Sequence, residues 1–130
     1  MKRLLILSLA ALVWFSGCTS PTDSNDDNQE PVSSTVFTVE ARPSRVPADG
    51  HSKMVIFTEY RENNQPVPDS TRIILLNTIG TLGLGELYTQ DGIAIDTLTA
   101  DSTVALGVVI AVAPGVRDSI EIAFEPVDPE

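Results

Sequence analysis

Residues 104–124 read VALGVVIAVAPGVRDSIEIAF, and this stretch decides the fold. In its second half, Ile120, Ile122 and Phe124 alternate with polar neighbours such as Glu121, which is the period of a strand with one buried face. The first half is apolar at nearly every position, and a Pro-Gly pair separates the two halves. The stretch therefore predicts two strands joined by a tight turn.

The first of these strands, residues 104–113, has two aliphatic faces. We expect one face to fill the core and the other to form a modest apolar strip outside. The residues expected inside are Val108, Ile110 and Val112, and those expected outside are Val109, Ala111 and Ala113. Such a strip either packs under a loop or receives a partner.

Shorter β-rich runs precede this stretch, separated by turns rich in Pro, Gly, Asn and Asp. The runs are residues 36–40, 53–61, 71–78 and 93–99. The side chains expected inward in the second and third runs are Ile56, Thr58, Tyr60, Ile73 and Leu75. Phe57 is expected on the outer face, under a neighbouring loop. No stretch has helical periodicity, so about seven short strands predict an all-β fold, an antiparallel β-sandwich.

Acidic side chains in and beside these runs are expected to face solvent and to protect edge strands. They are Glu40, Glu59, Glu62, Asp96, Glu121 and Glu125. Between the third and fourth runs, Gly80, Gly83 and Gly85 predict a loose connection.

Four segments in chain order carry a resemblance to a known family. Residues 43–52, PSRVPADGHS, resemble the P-x-x-V-x-A-D-G-x-S opening of the bacterial Ig-like group 1 domain found in invasin and intimin. Residues 64–68, NQPVP, are similar to its G-x-P-V-P turn, with Asn64 in place of the glycine. Residues 80–82 resemble its G-T-L, and residues 89–94 resemble its T-x-x-G-x-A turn, shortened before the glycine.

This resemblance covers almost all of residues 35–126. It implies an Ig-like sandwich that acts as a spacer or presents a binding surface, and most copies of the domain are not catalytic. The fold-signature turn residues that it assigns are Pro43, Asp49, Gly50, Pro66 and Gly92. Asp49 is expected to accept hydrogen bonds from its own backbone, with Gly50 supplying a positive φ.

The first eighteen residues resemble a lipoprotein signal. Lys2 and Arg3 precede an apolar run, residues 4–15, that as a helix is too short for the ~30 Å hydrocarbon core of a membrane. The run closes on four residues that resemble the lipobox of bacterial lipoproteins: Phe15, Ser16, Gly17 and Cys18. Leu is usual in the family where Phe15 stands. The resemblance implies cleavage before Cys18, the only cysteine, and a lipid anchor on its sulfur. The alternative is an incidental cysteine after an ordinary signal peptide.

These features divide the chain into four parts. They are a signal peptide (1–17), a lipidated cysteine with an acidic disordered tether (18–34), the Ig-like domain (35–126) and a C-terminal tail (127–130). The tether has too little apolar surface to fold. Within it, Asp23, Asn25 and Asp27 have the spacing of a calcium loop, but its turn glycine and bidentate Glu are absent. Thr19 after the cysteine implies, again by resemblance, an outer-membrane location facing the periplasm or the cell surface.

Charge and composition argue against several kinds of partner, catalytic site and cofactor. Without Lys2 and Arg3, 18 acidic residues stand against six basic ones, which argues against nucleic acid as a partner. His51 is the only histidine, and we expect it to be a solvated turn residue and not part of a catalytic triad. Because the domain has no other His or Cys, we expect neither a metal nor another cofactor.

The function expected from the sequence is that of a membrane-anchored cell-envelope lipoprotein, not an enzyme, with a structural, adhesion or protein-binding role. Its expected partners are the membrane, through the lipid, and an envelope or surface protein, and a monomer is expected. The alternative is a glycan- or ligand-binding module of an envelope complex, although a glycan site should show an aromatic platform and few aromatic residues remain after Cys18.

Overall fold

A computed structural model describes residues 32–129, and the regular elements in that range are all β-strands. They are β1 (Thr35–Arg42), β2 (Arg45–Pro47), β3 (Lys53–Glu62), β4 (Gln65–Pro66), β5 (Arg72–Asn77), β6 (Thr81–Leu82), β7 (Glu86–Tyr88), β8 (Ile93–Thr99), β9 (Ala105–Ala113) and β10 (Val116–Glu125). The predicted signal peptide, the lipobox residues Phe15, Ser16, Gly17 and Cys18, and most of the tether lie outside the described residues.

The strands form two five-stranded sheets. The β3 sheet has the order β1-β3-β8-β6, with β4 paired to the end of β3, and the β9 sheet has the order β2-β10-β9-β5-β7. The six strands with six or more residues match the six runs predicted from the sequence. The predicted sandwich is therefore confirmed, with one addition: β2 pairs with β10 in parallel.

The core lies between the two sheets. Its largest fully buried side chains include Met54, Ile56 and Leu98 from the β3 sheet, and Ile73 and Phe124 from the β9 sheet. The five side chains predicted to face inward on β3 and β5 are all buried. Thr58 is polar, but its hydroxyl donates to the carbonyl of Ala94 at 2.8 Å, so its burial leaves no donor unsatisfied. Phe57 lies on the outer face as predicted, although Arg42 of the adjacent strand covers it and not a loop.

The face predicted for β9 is wrong. Val109, Ala111 and Ala113 are buried, whereas Val108, Ile110 and Val112 lie on the outer face. Pairing with β10 sets this orientation, because it places Val109 opposite Ile120 and Gly107 opposite Ile122, and both partners face the core. At Gly107 the missing side chain makes room for Ile79, since an added Cβ would lie 2.4 Å from Ile79 Cγ1.

The prediction that Asp96 faces solvent is also wrong, because the residue is only 5% exposed. Its Oδ2 accepts hydrogen bonds from the backbone N–H groups of Leu84 (3.0 Å) and Gly85 (2.8 Å), and its Oδ1 accepts one from Thr97 (2.8 Å). These bonds hold the segment through which the chain leaves β6 in one sheet and enters β7 in the other. The glycine-rich connection predicted to be loose is therefore a pinned crossing between sheets.

The two ends of the sandwich carry different turns. The chain enters the domain beside Asn63, whose backbone N–H donates to the carbonyl of Ser34 at 2.8 Å. The β9–β10 turn lies at this end too, because Tyr60 reaches toward Pro114. β10 ends at the opposite end, where Ala48 donates to the carbonyl of Glu125 at 2.8 Å.

Candidate functional site

The Asp49 turn is a compact hydrogen-bonded loop. Asp49 Oδ1 accepts from the backbone N–H groups of His51 (2.9 Å) and Ser52 (2.6 Å), and its Oδ2 accepts from the Ser52 hydroxyl (2.5 Å). Gly50 has a φ of 77°. The hydrogen bonds from Ser52, and then that from the His51 backbone, lower the pKa of Asp49 from 3.8 to about 2. The carboxylate thus acts as the acceptor that closes the turn.

This turn does not assemble a catalytic triad. In a triad the histidine lies between the serine and the carboxylate and takes the hydroxyl proton. Here the Ser52 hydroxyl donates directly to Asp49 Oδ2 and not to a histidine nitrogen. The exposed His51 ring contacts Asp49 as well, with Nδ1 2.9 Å from its carbonyl oxygen and Nε2 3.4 Å from Oδ2. The serine is not activated by this arrangement.

The remaining fold-signature residues, Pro43, Pro66 and Gly92, do not form one site. Pro43 follows a cis peptide bond in the crossing from β1 to β2. Gly92 has a φ of 74°, and an added Cβ there would lie 2.6 Å from the Tyr60 carbonyl oxygen and 2.9 Å from Pro66 Cβ. Pro66 and Gly92 therefore touch, at the end of the sandwich opposite to the Asp49 turn.

Within residues 32–129, no group of three or more His, Cys, Asp or Glu side chains is arranged to hold a metal ion. In the same range, no helix is long and apolar enough to cross a membrane.

The most distinctive surface of the described domain is the outer face of β9 and β5. We call its six aliphatic residues the apolar face: Ile74, Leu76, Leu106, Val108, Ile110 and Val112. Pairing joins them into one patch, because Val112 lies opposite Ile74 and Ile110 lies opposite Leu76. Leu106 is 83% exposed and Leu76 is 53% exposed, and the other four are half-buried. Contiguous exposed patches of this kind mark interaction sites on soluble domains.

Charged residues at the rim of the apolar face balance one another. Beside β5, Arg72 Nε lies 2.8 Å from Glu86 Oε1, which also accepts from the Tyr88 hydroxyl at 2.6 Å. The hydrogen bond to Arg72 lowers the pKa of Glu86, and the bond to Glu86 raises the pKa of Tyr88. Tyr88 and its partners thus form a polar border on this side.

On the other side of the apolar face, Arg45 Nη1 pairs with Glu125 Oε1 at 2.9 Å. Arg117 and Glu121 stand on β10, opposite Val112 and Val108, and are not among the ion pairs of the described residues. The rim therefore carries three Arg and three Glu in a chain with a net charge of −10. This is a neutral surface on an acidic protein.

The outer face of the β3 sheet has a different character. Arg42 pairs with Glu40 and also lies 4.9 Å above the Phe57 ring, and Arg61 pairs with Glu59 at 2.6 Å. Exposed aliphatic residues such as Ile95 are interspersed among these ion pairs. The apolar face thus belongs to one sheet only.

Two shallow depressions flank the apolar face. One is lined by Leu106, Glu121 and Ala123 beside Arg45, and the other by Ile74, Val112 and Pro114 beside Arg72. The sequence contained a signal for this surface in the unbroken apolar run of residues 104–113, but the contribution of β5 depends on a pairing that the sequence does not reveal.

No protein-family model and no curated protein sequence matches the chain. Solved structures do match. The D0-D1 domains of intimin superpose with a TM-score of 0.62 at 22% identity, over 70% of this chain and 48% of that one. The D00-D0 domains of intimin give 0.62 at 18% identity, over 78% and 52%. The Yersinia pseudotuberculosis adhesin InvE gives 0.59 at 24% identity, over 69% and 26%.

The chain thus spans at most about half the length of these structures. A further match is a C-terminal fragment of intimin in complex with the intimin-binding domain of the translocated intimin receptor (TM-score 0.60, 22% identity, 70% of this chain and 33% of that one). At these identities the likeness concerns the fold. The domain is an all-β, Ig-like sandwich of the kind found in intimin and invasin adhesins.

Proposed function

We propose that the protein is a non-catalytic, protein-binding module of the bacterial cell envelope, held to a membrane by a lipid on Cys18. The observation that carries the binding role is the apolar face, an exposed aliphatic patch with a neutral rim on an otherwise acidic domain. The similarity to adhesin domains supports a protein as partner. A glycan partner is less well supported, because Tyr88 is the only exposed aromatic side chain among the described residues.

The anchor is proposed from the lipobox resemblance. A diacylglycerol with a further acyl chain contributes ~0.8 kcal/mol for each buried CH₂ group, which suffices for stable attachment. Absence of Asp after Cys18 supports sorting to the outer membrane. A tether that enters the domain beside Ser34 would leave the opposite end, with the Asp49 turn, farthest from the point of entry.

The anchor is tested by membrane fractionation of cells that produce the wild-type chain or Cys18→Ala. The wild type is expected in the membrane fraction, and the variant in the soluble fraction of the envelope. Equal membrane association of the two would contradict the lipid anchor. Protease treatment of intact cells then separates display at the cell surface, where the domain is digested, from a periplasmic location, where it is protected.

The binding role is tested by crosslinking in intact envelopes. Leu76→Thr and Ile95→Thr form a matched pair, since both native side chains are 53% exposed but lie on different sheets. We expect Leu76→Thr to reduce the crosslinked adducts of the protein, and Ile95→Thr to leave them unchanged. Equal adduct yields from the two variants would show that the apolar face is not the binding surface.

A further inference from the structure

The charged residues beside the apolar face are placed symmetrically about one row of residues. The residues Ser119, Ile110 and Leu76 form a row across β10, β9 and β5, because each is paired with the next. On β10, Arg117 and Glu121 lie two residues to either side of this row. All three β10 residues alternate with the core-facing Asp118 and Ile120, and therefore share the outer face.

A two-fold axis along this row makes the face complementary to itself. Such an axis packs β9 of one copy antiparallel to β9 of a second copy, with Ile110 against Ile110 and Val108 against Val112. It also sets Arg117 of each copy opposite Glu121 of the other. Within the described residues of one chain the two side chains form no ion pair, and four residues of strand separate their Cα atoms by ~13 Å. Isologous contacts of this kind are how two-fold dimers are built.

The electrostatics of the whole chain favour this face for self-association. Two copies with a net charge of −10 repel each other when they meet through most surfaces. The rim of the apolar face carries equal numbers of Arg and Glu, so contact through it adds no excess of like charge. Its aliphatic side chains are also suited to face-to-face sheet packing at ~10 Å.

We propose that the apolar face binds the apolar face of a second copy of this chain, forming a two-fold symmetric dimer. This inference rests on the proposed function and names its partner, and it replaces the monomer expected from the sequence. Five strands spaced ~4.8 Å apart form a face of roughly 20 Å by 20 Å, so the dimer buries about 400 Å² on each copy and about 800 Å² in total, which is below the size of standard specific interfaces. The association is therefore weak and depends on concentration, which anchoring to one membrane raises locally.

The test is thiol crosslinking of the full-length chain in its own membranes with a bismaleimide that spans about 10 Å, because sheets packed at ~10 Å hold facing Cα atoms too far apart for a direct disulfide. Ile110→Cys places a thiol on the proposed axis, where it faces the same thiol of the second copy. Ile95→Cys is the control on the other sheet. The wild-type chain reports any background from Cys18. We expect a crosslinked dimer from Ile110→Cys at a level at least ~5-fold above both controls. Equal dimer yields from the two cysteine variants would overturn the proposal, as would the absence of any dimer.

Charge reversal tests the pairing itself in the Ile110→Cys background. Arg117→Glu and Glu121→Arg each place like charges together twice per dimer, and each should lower the dimer yield by at least ~5-fold. The double variant should restore it to within ~2-fold. The control reverses an ion pair of the other sheet, Glu59→Arg with Arg61→Glu, and should change nothing. Failure of the double reversal to restore the dimer would overturn the proposed symmetry.

The outcomes also separate this inference from the proposed function. If Ile110→Cys is crosslinked to a different protein and not to a second copy of the chain, self-association is overturned while a protein-binding role stands. If it forms no adduct of either kind, and Leu76→Thr behaves like Ile95→Thr in envelope crosslinking, both are overturned.

Discussion

The carboxylate of Asp118, in one sheet of the sandwich, accepts a hydrogen bond at 2.9 Å from the backbone N–H of Val39 in the other sheet. Val39 lies in β1, an edge strand of the β3 sheet, and Asp118 lies in β10 of the β9 sheet. Edge strands expose backbone donors that invite pairing with other chains. Here a side chain occupies one such donor and also ties the sheets together on the side where the chain crosses from β1 to β2.

Removal of this carboxylate should destabilise the sandwich. We expect Asp118→Ala to lower the free energy of unfolding by about 1–2 kcal/mol, because the Val39 N–H loses a charged acceptor. Asp118→Asn keeps a carbonyl oxygen and should cost less than ~1 kcal/mol. Urea denaturation measures both, with Ser119→Ala on the outer face as control. An effect of Asp118→Ala no larger than that of Ser119→Ala would show that the bond contributes nothing to stability.

Asp96 has the corresponding role on the opposite side of the sandwich, and its substitution should be more harmful. Both of its oxygens accept backbone N–H groups, from Leu84, Gly85 and Thr97. Asp96→Ala leaves these donors without their acceptor and should cost about 2–4 kcal/mol. Asp96→Asn should cost nearly as much, because its NH₂ group must face an N–H donor.

The measurement for Asp96 is again urea denaturation. Asp128→Asn, in the exposed segment after β10, is the control for loss of one negative charge. If Asp96→Asn matched the wild type, the carboxylate would not be needed to pin the crossing from β6 to β7.

Asp96 and β9 also show where the sequence was informative and where it was not. Alternation of polar and apolar residues located the long strands, and correctly assigned the buried face of β3, because only one face of that strand is mostly apolar. Val108 and Val109 are chemically alike, so the inward residue depends on pairing with β10. Asp96 was expected outside because carboxylates are rarely buried. The three N–H donors that satisfy it converge only in the folded chain.

The apolar face was predicted only in part. The apolar run of residues 104–113 indicated an exposed strip, but with the wrong residues. Ile74 and Leu76 enlarge that strip because β5 pairs with β9, and this neighbour is set by the order of strands in the sheet. The symmetric placement of Arg117 and Glu121 about Ile110 is set by the register between β9 and β10.

Stability should rise with pH between about 2 and 4, in part because of Asp49. Its pKa is lowered from 3.8 to about 2 in the folded protein, so in this window the unfolded chain binds the proton and the folded chain does not. The contribution is fully present above pH 3.8 and is lost as the pH falls through about 2. Asp49→Asn removes this titration and should flatten the dependence of the denaturation midpoint on pH.

The experiment compares urea midpoints of the wild type and Asp49→Asn between pH 2 and pH 5, where the wild type should show the steeper rise. Asp128→Asn serves as the control for loss of an exposed carboxylate. A slope for Asp49→Asn equal to that of the wild type would contradict the assignment of a lowered pKa to this turn.

Gly107 should be intolerant of even a methyl group, although its backbone conformation is open to any residue. An added Cβ would lie 2.4 Å from Ile79 Cγ1 and 2.8 Å from Thr78 Oγ1, well inside van der Waals contact. We expect Gly107→Ala to lower the free energy of unfolding by about 1–3 kcal/mol through overpacking.

Ile79→Ala alone should also destabilise the domain, because Ile79 packs against the core and its truncation leaves a cavity. The double variant Gly107→Ala with Ile79→Ala should be more stable than the sum of the single effects predicts, since the new methyl group enters the space that Ile79 vacates. A double-mutant cycle by urea denaturation measures this coupling, and strict additivity would mean that Ile79 is not what excludes a side chain at position 107.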